Sequence, residues 1–488
     1  MKSPRLPLLL LLAVSTTVHG ADWPRWRGPN RDDVSTETGL LKQWPETGPK
    51  KLWMSAKAGL GYSGCAVVQG VLYTMGLEGD TEQLLAFDAN TGDLKWSTPI
   101  GPIFTNKWGD GPRGTPAVDG NRVYALSGQG YLLCANSADG KPLWTAALKD
   151  FGGKPPSWGY TESVLVDGNN VVCTPGGAQG AMLALDKTSG KKVWQSTDWT
   201  DPAQYASIVP ADIHGSRQYV ALTAQHIAGI DAKSGAKLWL ADFAGRTAVI
   251  PTPIVLNNTV YVASGYGVGC KLIHIGAKNV VQDGWTNTNM VNHHGGVVLV
   301  DGYLYGYSDK GGWTCQDWKT GEVKWAEKKL GKGAVHCADG MLYLLEESSG
   351  TVVLIDASPN GWKEYSRFKL DPQTTQRKPE GRIWTHPVVS DGKLYLRDQE
   401  LLFCYDIQDP TKRAAAPAKT AALGKFTDPE SAKQAAMKLY PALGVPASPF
   451  NQAFLNKFRQ LQQVRPEVLK NPNWPMLLAE EVASDLKK

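Results

Sequence analysis

No two cysteines of this chain are adjacent. The seven, Cys65, Cys134, Cys173, Cys270, Cys315, Cys337 and Cys404, stand singly, most of them inside apolar strand phrases. An odd count excludes complete intramolecular pairing, and lone strand cysteines behave as small buried hydrophobes. After residue 20 no apolar run reaches the about twenty residues that cross a bilayer as a helix. Gly-rich phosphate loops, nucleophile elbows and HExxH patterns are also missing, which removes the commonest signatures of nucleotide, acyl-transfer and zinc-protease chemistry. Asp88-Ala89-Asn90-Thr91-Gly92-Asp93 has the composition of a calcium loop, but its Gly comes one place early and Pro99 stands where the closing Glu belongs.

Charge of one sign is scarce as well. Residues 21–410 carry a slight acidic excess, whereas 411–488 hold twelve cations against six acids. A weakly acidic body offers nucleic acid no basic face, and the basic tail reads as a solvated helical surface. Lys2 and Arg5 precede the apolar run 6–14, and Val18 and Gly20 are small residues ahead of Ala21. That pattern predicts a signal peptide over 1–20 and a periplasmic or secreted protein.

What the chain does have is repetition. Trp96, Trp144, Trp194, Trp239, Trp285 and Trp325 recur at near-regular spacing, with Tyr365 continuing the series. Most close one phrase: an apolar run, a polar turn, Gly, then a short strand ending in the aromatic. Clear copies are 84–96 (LLAFDANTGDLKW), 182–194 (MLALDKTSGKKVW) and 227–239 (IAGIDAKSGAKLW). Ahead of each lies an apolar hairpin phrase with a tight turn, such as PAVDGNRVYALSG or VVLVDGYLYGYSD. Seven copies and a degenerate eighth (IVPADIHGSRQYVALTA) predict eight four-stranded blades. The last copy lacks its aromatic strand and 50–56 (KKLWMSA) is such a strand without a hairpin, so the Trp53 strand is expected to close the ring and hide two sheet edges.

The phrase of Asp, Thr-Gly and terminal Trp resembles the docking repeat of the pyrroloquinoline quinone (PQQ)-like β-propellers. That fold is shared by quinoprotein alcohol dehydrogenases and by the lipoprotein propeller subunit of the outer-membrane β-barrel assembly machine. The resemblance covers about residues 22–410. The phrase 22–30 (DWPRWRGPN), with NHHGGVVLVDGYLYG and LYLRDQELLFCYD, is most similar to a secreted bacterial branch labelled PQQ-binding-like. Many of the dehydrogenases pack a vicinal disulfide against the quinone, which single cysteines do not provide. No Cys precedes Cys65 to take the lipid anchor expected of the assembly lipoprotein.

The expected organisation is a signal peptide (1–20), an eight-bladed PQQ-like β-propeller (21–410), an Ala, Pro and Lys linker (411–425) and a small C-terminal α-helical extension (426–488). In the extension Asp428 and Ser448 precede Pro429 and Pro449, the pattern of capped helix starts. Phe450, Phe454, Phe458 and Leu461 form one apolar stripe, expected to pack against the propeller or its sister helices, and a third short helix is expected over 475–486.

Chemistry in a propeller gathers where inner strands enter the central channel. Reading five to seven residues upstream of each hairpin turn gives Tyr62, Arg113, Tyr160, Glu162, His294, Trp384 and His386, with Trp158, Arg246, Asn292 and His293 on loops nearby. This aromatic, polar rim of mixed charge suits a sugar or a peptide. Adjacent histidines in a strand face opposite ways, so at most one of His293 and His294 is expected to face the channel unless the backbone is bulged there. Their spacing is no zinc signature, and no metal ligand is assigned. Glu162 is the only acid of the set, whereas calcium takes six to eight oxygens and most glycosidases need two carboxylates.

The expectation is therefore an exported, noncatalytic binding or scaffold propeller with no catalytic residue and no cofactor. Its channel and blade-end loops would take a protein, peptide or carbohydrate. The alternative is a PQQ-dependent alcohol or polyvinyl-alcohol-type dehydrogenase with PQQ and calcium.

Overall fold

The computed structural model describes residues 22–413, 428–445, 448–464 and, beyond these, 469, 474, 475, 478, 479 and 482. The expected signal peptide, most of the expected linker and most of the expected third helix lie outside the described residues. The chain divides into two compact units, Met1–Asp409 and Pro410–Lys488.

The first unit is an eight-bladed β-propeller. Each blade is built on four antiparallel strands, in sequence order in the first seven, the first made of Ala66–Val68, Val71–Glu78, Thr81–Asp88 and Leu94–Pro102. Sheets two to eight begin at Ala117, Leu165, Val209, Ile254, Val297, Gly333 and Val388. The eighth is completed from the other end of the chain: Lys50–Ser55 pairs antiparallel with Leu401–Asp406, with Trp53 opposite Cys404. Two-residue turns hold the inner hairpins tight, and Asp301 and Asp339 take the positive φ of 48° and 50° that such turns need.

A four-stranded blade cannot bury two faces alone, and the core is accordingly distributed. Eight apolar clusters fill the eight spaces between neighbouring blades, from Ala66, Met75 and Leu84 against Val123, Ala125 and Leu133 round to Val388, Tyr395 and Leu402 against Val67, Leu72 and Phe87. The repeat tryptophans pin the outer strands to the next blade. Trp144 Nε1 donates to Lys187 O and Trp194 Nε1 to Ala232 O. Trp285, Trp325 and Trp53 donate likewise to Trp318, Ser358 and Ala89. Gly190 lets the Trp144 ring lie on the turn, since a Cβ there would stand 2.7 Å from it. Trp239 departs from the series: its Nε1 donates to Gln218 of its own blade, and its ring lies over Gly229.

The second unit contains the helices Pro429–Leu439 and Pro449–Val464. The Asp428 carboxylate accepts from Ser431 N and the Ser448 hydroxyl from Asn451 N, the caps that prolines at the first helical position call for. Phe450, Phe454, Phe458 and Leu461 pack with Ala436, Leu443, Trp474 and Leu478, so the stripe is internal to this unit.

Candidate functional site

Residues 22–35 belong to no blade's own four strands. They cross the channel and bond to inner strands on nearly every side. Trp23 exchanges main-chain hydrogen bonds with Val67 of blade one, at 2.7 and 2.8 Å, and Pro24 O accepts from Val118 N of blade two. Arg25 donates to Val166 O of blade three, and Arg31 to Ser163 O and Val164 O just before it. Trp26 Nε1 reaches the Thr252 hydroxyl before blade five, and Arg27 donates to Val297 O of blade six. Val34–Ser35 then adds a parallel strand to Gly333–Ala338 of blade seven. Innermost strands are sheet edges whose carbonyls need donors, and guanidinium groups supply them. The channel expected to be the binding passage is thus occupied by a plug of the chain itself.

At the plug's end Asp33 bridges two blades. Its Oδ1 meets His336 Nδ1 and its Oδ2 meets His386 Nδ1, both at 2.9 Å. Burial opposes its charge, but these hydrogen bonds and nearby Arg27 outweigh it and hold the carboxyl well below the usual range. Burial alone dominates at Arg31, pushed down to about 9, and lowers Arg27 and His386 as well.

Beside the plug lies a cavity of about 240 Å³, with Trp26 and Arg27 in its lining. Its walls are mostly rings: Tyr62, Trp108, Trp158, Tyr205, Tyr266 and Trp384, with His293, His294 and His386. Neighbouring rings meet tilted or edge to face, with centroids 4.5 Å apart for Trp26 and His386, 5.0 Å for Tyr62 and Trp384 and 5.7 Å for Trp158 and Tyr205. Arg113 lies over Tyr62 and Phe104, while its guanidinium donates to Gly109 O and Gly111 O. His294 Nε2 is 2.5 Å from Glu347 Oε2, which also accepts from Trp384 Nε1. His293 contacts Tyr266 Oη and Lys332 Nζ, each at 2.9 Å. Burial, with His294 and Lys332 adding, pushes His293 down to about 3, so it is neutral at ordinary pH.

Of the residues read from sequence, Tyr62, Arg113, Trp158, His293, His294, Trp384 and His386 line this cavity. Tyr160, Glu162, Arg246 and Asn292 do not. Tyr160 is buried with its hydroxyl on Pro175 O, and Asn292 is buried with its amide on Gly296 O and Tyr307 O. Arg246 is exposed. Glu162 accepts from Thr174 N and Oγ1 at 2.5 Å; burial raises it to about 7 against the pull of those hydrogen bonds and of Arg31. The reason is parity: where side chains alternate, Thr161 and Ser163 face the cavity and Tyr160 and Glu162 turn away. The two histidines err the other way. They precede the strand Val297–Val300 rather than lying in one, so both line the cavity.

Sequence reasoning missed Trp26, Arg27, Asp33, Tyr205, Tyr266 and Glu347. The signal for the plug was the density of Trp and Arg in 22–30, too early for blade one and ahead of the closing strand.

Among the described residues no three His, Cys, Asp or Glu groups meet as a metal site. The nearest carboxylates, Asp33 and Glu347, are each bonded to imidazole. The seven cysteines are buried singly in the blades. This donor set does not fit calcium or a quinone held on a disulfide.

Residues 80–327 match the family model described as outer membrane protein assembly factor BamB. A curated relative of that name from Kangiella koreensis is 26% identical over 222 residues, 42% of this chain and 49% of the relative. A second, from Xanthomonas campestris pv. campestris, is 27% identical over 32% of this chain and 34% of its own length. The chain thus spans half or less of these relatives. The crystal structure of BamB from Moraxella catarrhalis superposes with a TM-score of 0.53 at 14% identity, covering 73% of this chain and 99% of that one. The quinohemoprotein alcohol dehydrogenase of Comamonas testosteroni gives 0.54 at 11%, covering 79% and 80%. At such identities these two likenesses speak to fold alone.

Proposed function

Since the chain belongs to the PQQ-like β-propeller family that this model represents, we propose that it is an exported, noncatalytic binding propeller that holds a ring-bearing ligand in the cavity beside its plug. One observation carries the reading. The cavity's ionisable groups are largely paired with one another or with main chain, as in Asp33 with His386 and Glu347 with His294, so what they present to a ligand is mainly aromatic surface. Rings stacked in a shaped pocket hold a ligand; they do not activate one.

The predicted signal peptide supports a place outside the cytoplasm. Two curated relatives are named outer membrane protein assembly factors, which supports a scaffold role with protein partners engaged through blade-end loops.

The test is a thermal melt of the mature protein with a panel of oligosaccharides and short peptides, beside Trp158→Ala and Tyr205→Ala. A ligand at one hundred times its dissociation constant adds about 2.7 kcal/mol to the native state, a readable shift. Stabilisation by a panel member that both variants abolish supports the cavity as the binding site. Stabilisation by PQQ with calcium, together with alcohol turnover, overturns this reading in favour of the dehydrogenase.

A further inference from the structure

Arg27 is 2% exposed and lies in the cavity lining. Its Nη2 donates to Asp32 O and Val297 O, both neutral main-chain acceptors. Its Nη1 is buried and has no hydrogen-bond partner. Such a group costs about 1–3 kcal/mol, more when charged, unless something accepts from it. The nearby carboxylate does not: Asp33 spends one oxygen on His336 and the other on His386.

The position facing Nη1 is known from Gly296. A Cβ built there would stand 3.4 Å from Arg27 Nη1 and 3.1 Å from His386 Cε1. A side chain at 296 would press on both groups, and glycine, at φ +74°, spares them that contact. His386 is bonded through Nδ1, which leaves Nε2 for a ligand hydroxyl. Trp26 packs against the His386 ring at 4.5 Å and also lines the cavity, giving a flat apolar face beside the cation.

We propose that Arg27 Nη1 and His386 Nε2, beside the bare backbone of Gly296 in the cavity wall, form an anion subsite for the carboxylate of an acidic sugar ring, a uronic acid. A guanidinium N–H is a strong partner for a carboxylate. The imidazole accepts or donates to a ring hydroxyl, and the tryptophan stacks on the pyranose face. A volume of about 240 Å³ is below the ~300–1,000 Å³ of drug-sized sites, so one ring enters rather than a polymer. That ring is a free uronic acid or the terminal unit of an acidic glycan. The proposal rests on the cavity being a binding site and adds which group it selects.

The decisive comparison uses the wild-type mature protein: calorimetric titration with galacturonate and with galactose, which differs chiefly in lacking the carboxylate. Galacturonate is expected to bind at least about tenfold more tightly, the least that a charge-assisted hydrogen bond contributes. Its affinity should weaken with added salt while that of galactose does not. Arg27→Gln should remove the preference, and Gly296→Ser should block both sugars. Arg27 also anchors the plug, so the wild-type pair decides if that variant fails to fold. A trigalacturonate arm distinguishes the sources: binding as tight as the monomer assigns a chain end, and much weaker binding assigns the free acid.

Equal affinities for the two sugars, both lost in Trp158→Ala, would overturn the anion subsite and leave the cavity reading standing. A preference that survives in folded Arg27→Gln would overturn the assignment to Arg27. No binding of either sugar would overturn the subsite, while the broader panel with Trp158→Ala and Tyr205→Ala judges the cavity separately.

Discussion

The rim and the centre of the propeller are built by opposite rules. At the rim one phrase is used again and again: Trp144, Trp194, Trp285 and Trp325 each donate an indole N–H to the next blade's turn. At the centre nothing repeats. A single segment, 22–35, gives each side a different group: main chain to blades one and two, guanidinium to blades three and six, carboxylate to blades seven and eight. Blades are interchangeable where they touch each other and individual where they meet the plug. A ring of identical blades would present the same side chains at every position around its axis, and the plug breaks that sameness.

The contrast breaks most severely if the plug is removed. Deleting 22–35 takes Trp23, three arginines and Asp33 from the channel and strands inner-edge carbonyls. We expect loss of a cooperative melt or aggregation; a deletion variant that melts within a few degrees of the wild type would show that the rim alone holds the ring. Next come single residues of each kind. Trp194→Ala empties a buried docking site and should cost about 3–5 kcal/mol in denaturant unfolding. Asp33→Ala leaves two buried imidazoles and Arg27 without their carboxylate and should cost a similar ~3–5 kcal/mol. A loss below about 1 kcal/mol at either position would mean that its half of the comparison is wrong.

A smaller effect tests the close approach at the rim. Gly190→Ala puts a methyl 2.7 Å from the Trp144 ring at φ +70°, and about 1–3 kcal/mol of destabilisation is expected. Smallest is a pH effect at the centre. Glu162 is raised to about 7 by burial, against an ordinary 4.5, so the native state holds a proton that the unfolded chain has released. Stability therefore falls as pH rises from about 4.5 to about 7. Glu82, raised to about 7 by the same cause, contributes in the same direction, so Glu162→Gln should reduce the slope rather than abolish it. An unchanged slope would place Glu162 in a wetter site. Asp33, depressed, acts oppositely: its contribution is present above the usual carboxylate pKa and fades as pH falls through the folded value.

Legibility followed the same divide. Blade number, hairpin turns and ring closure at Trp53 were readable because each is a local pattern written many times, so that one degenerate copy does no harm. The site was readable only in part. Tyr62, Arg113, Trp384 and His386 came from counting back from the turns, and the same count brought in Tyr160 and Glu162 because an error of one residue flips the face. Asn292 and the two histidines follow no strand phase, since Gly295 and Gly296 both take positive φ after them. Trp239 shows the limit even at the rim. Its phrase matches the others, yet Gln218 and Gly229 of its own blade capture the ring.

Repetition in the chain alone was enough to determine an eight-bladed ring, its closure and single buried cysteines, because those depend on periods and turns that neighbouring residues set. Which side chains meet in the cavity, and that the channel is filled, only the tertiary structure decided. Asp33 and His386 are 353 positions apart, and Arg27 and Val297 are 270. No local period encodes such a pair; it exists only once eight blades have closed and left one central space for the segment that no blade uses.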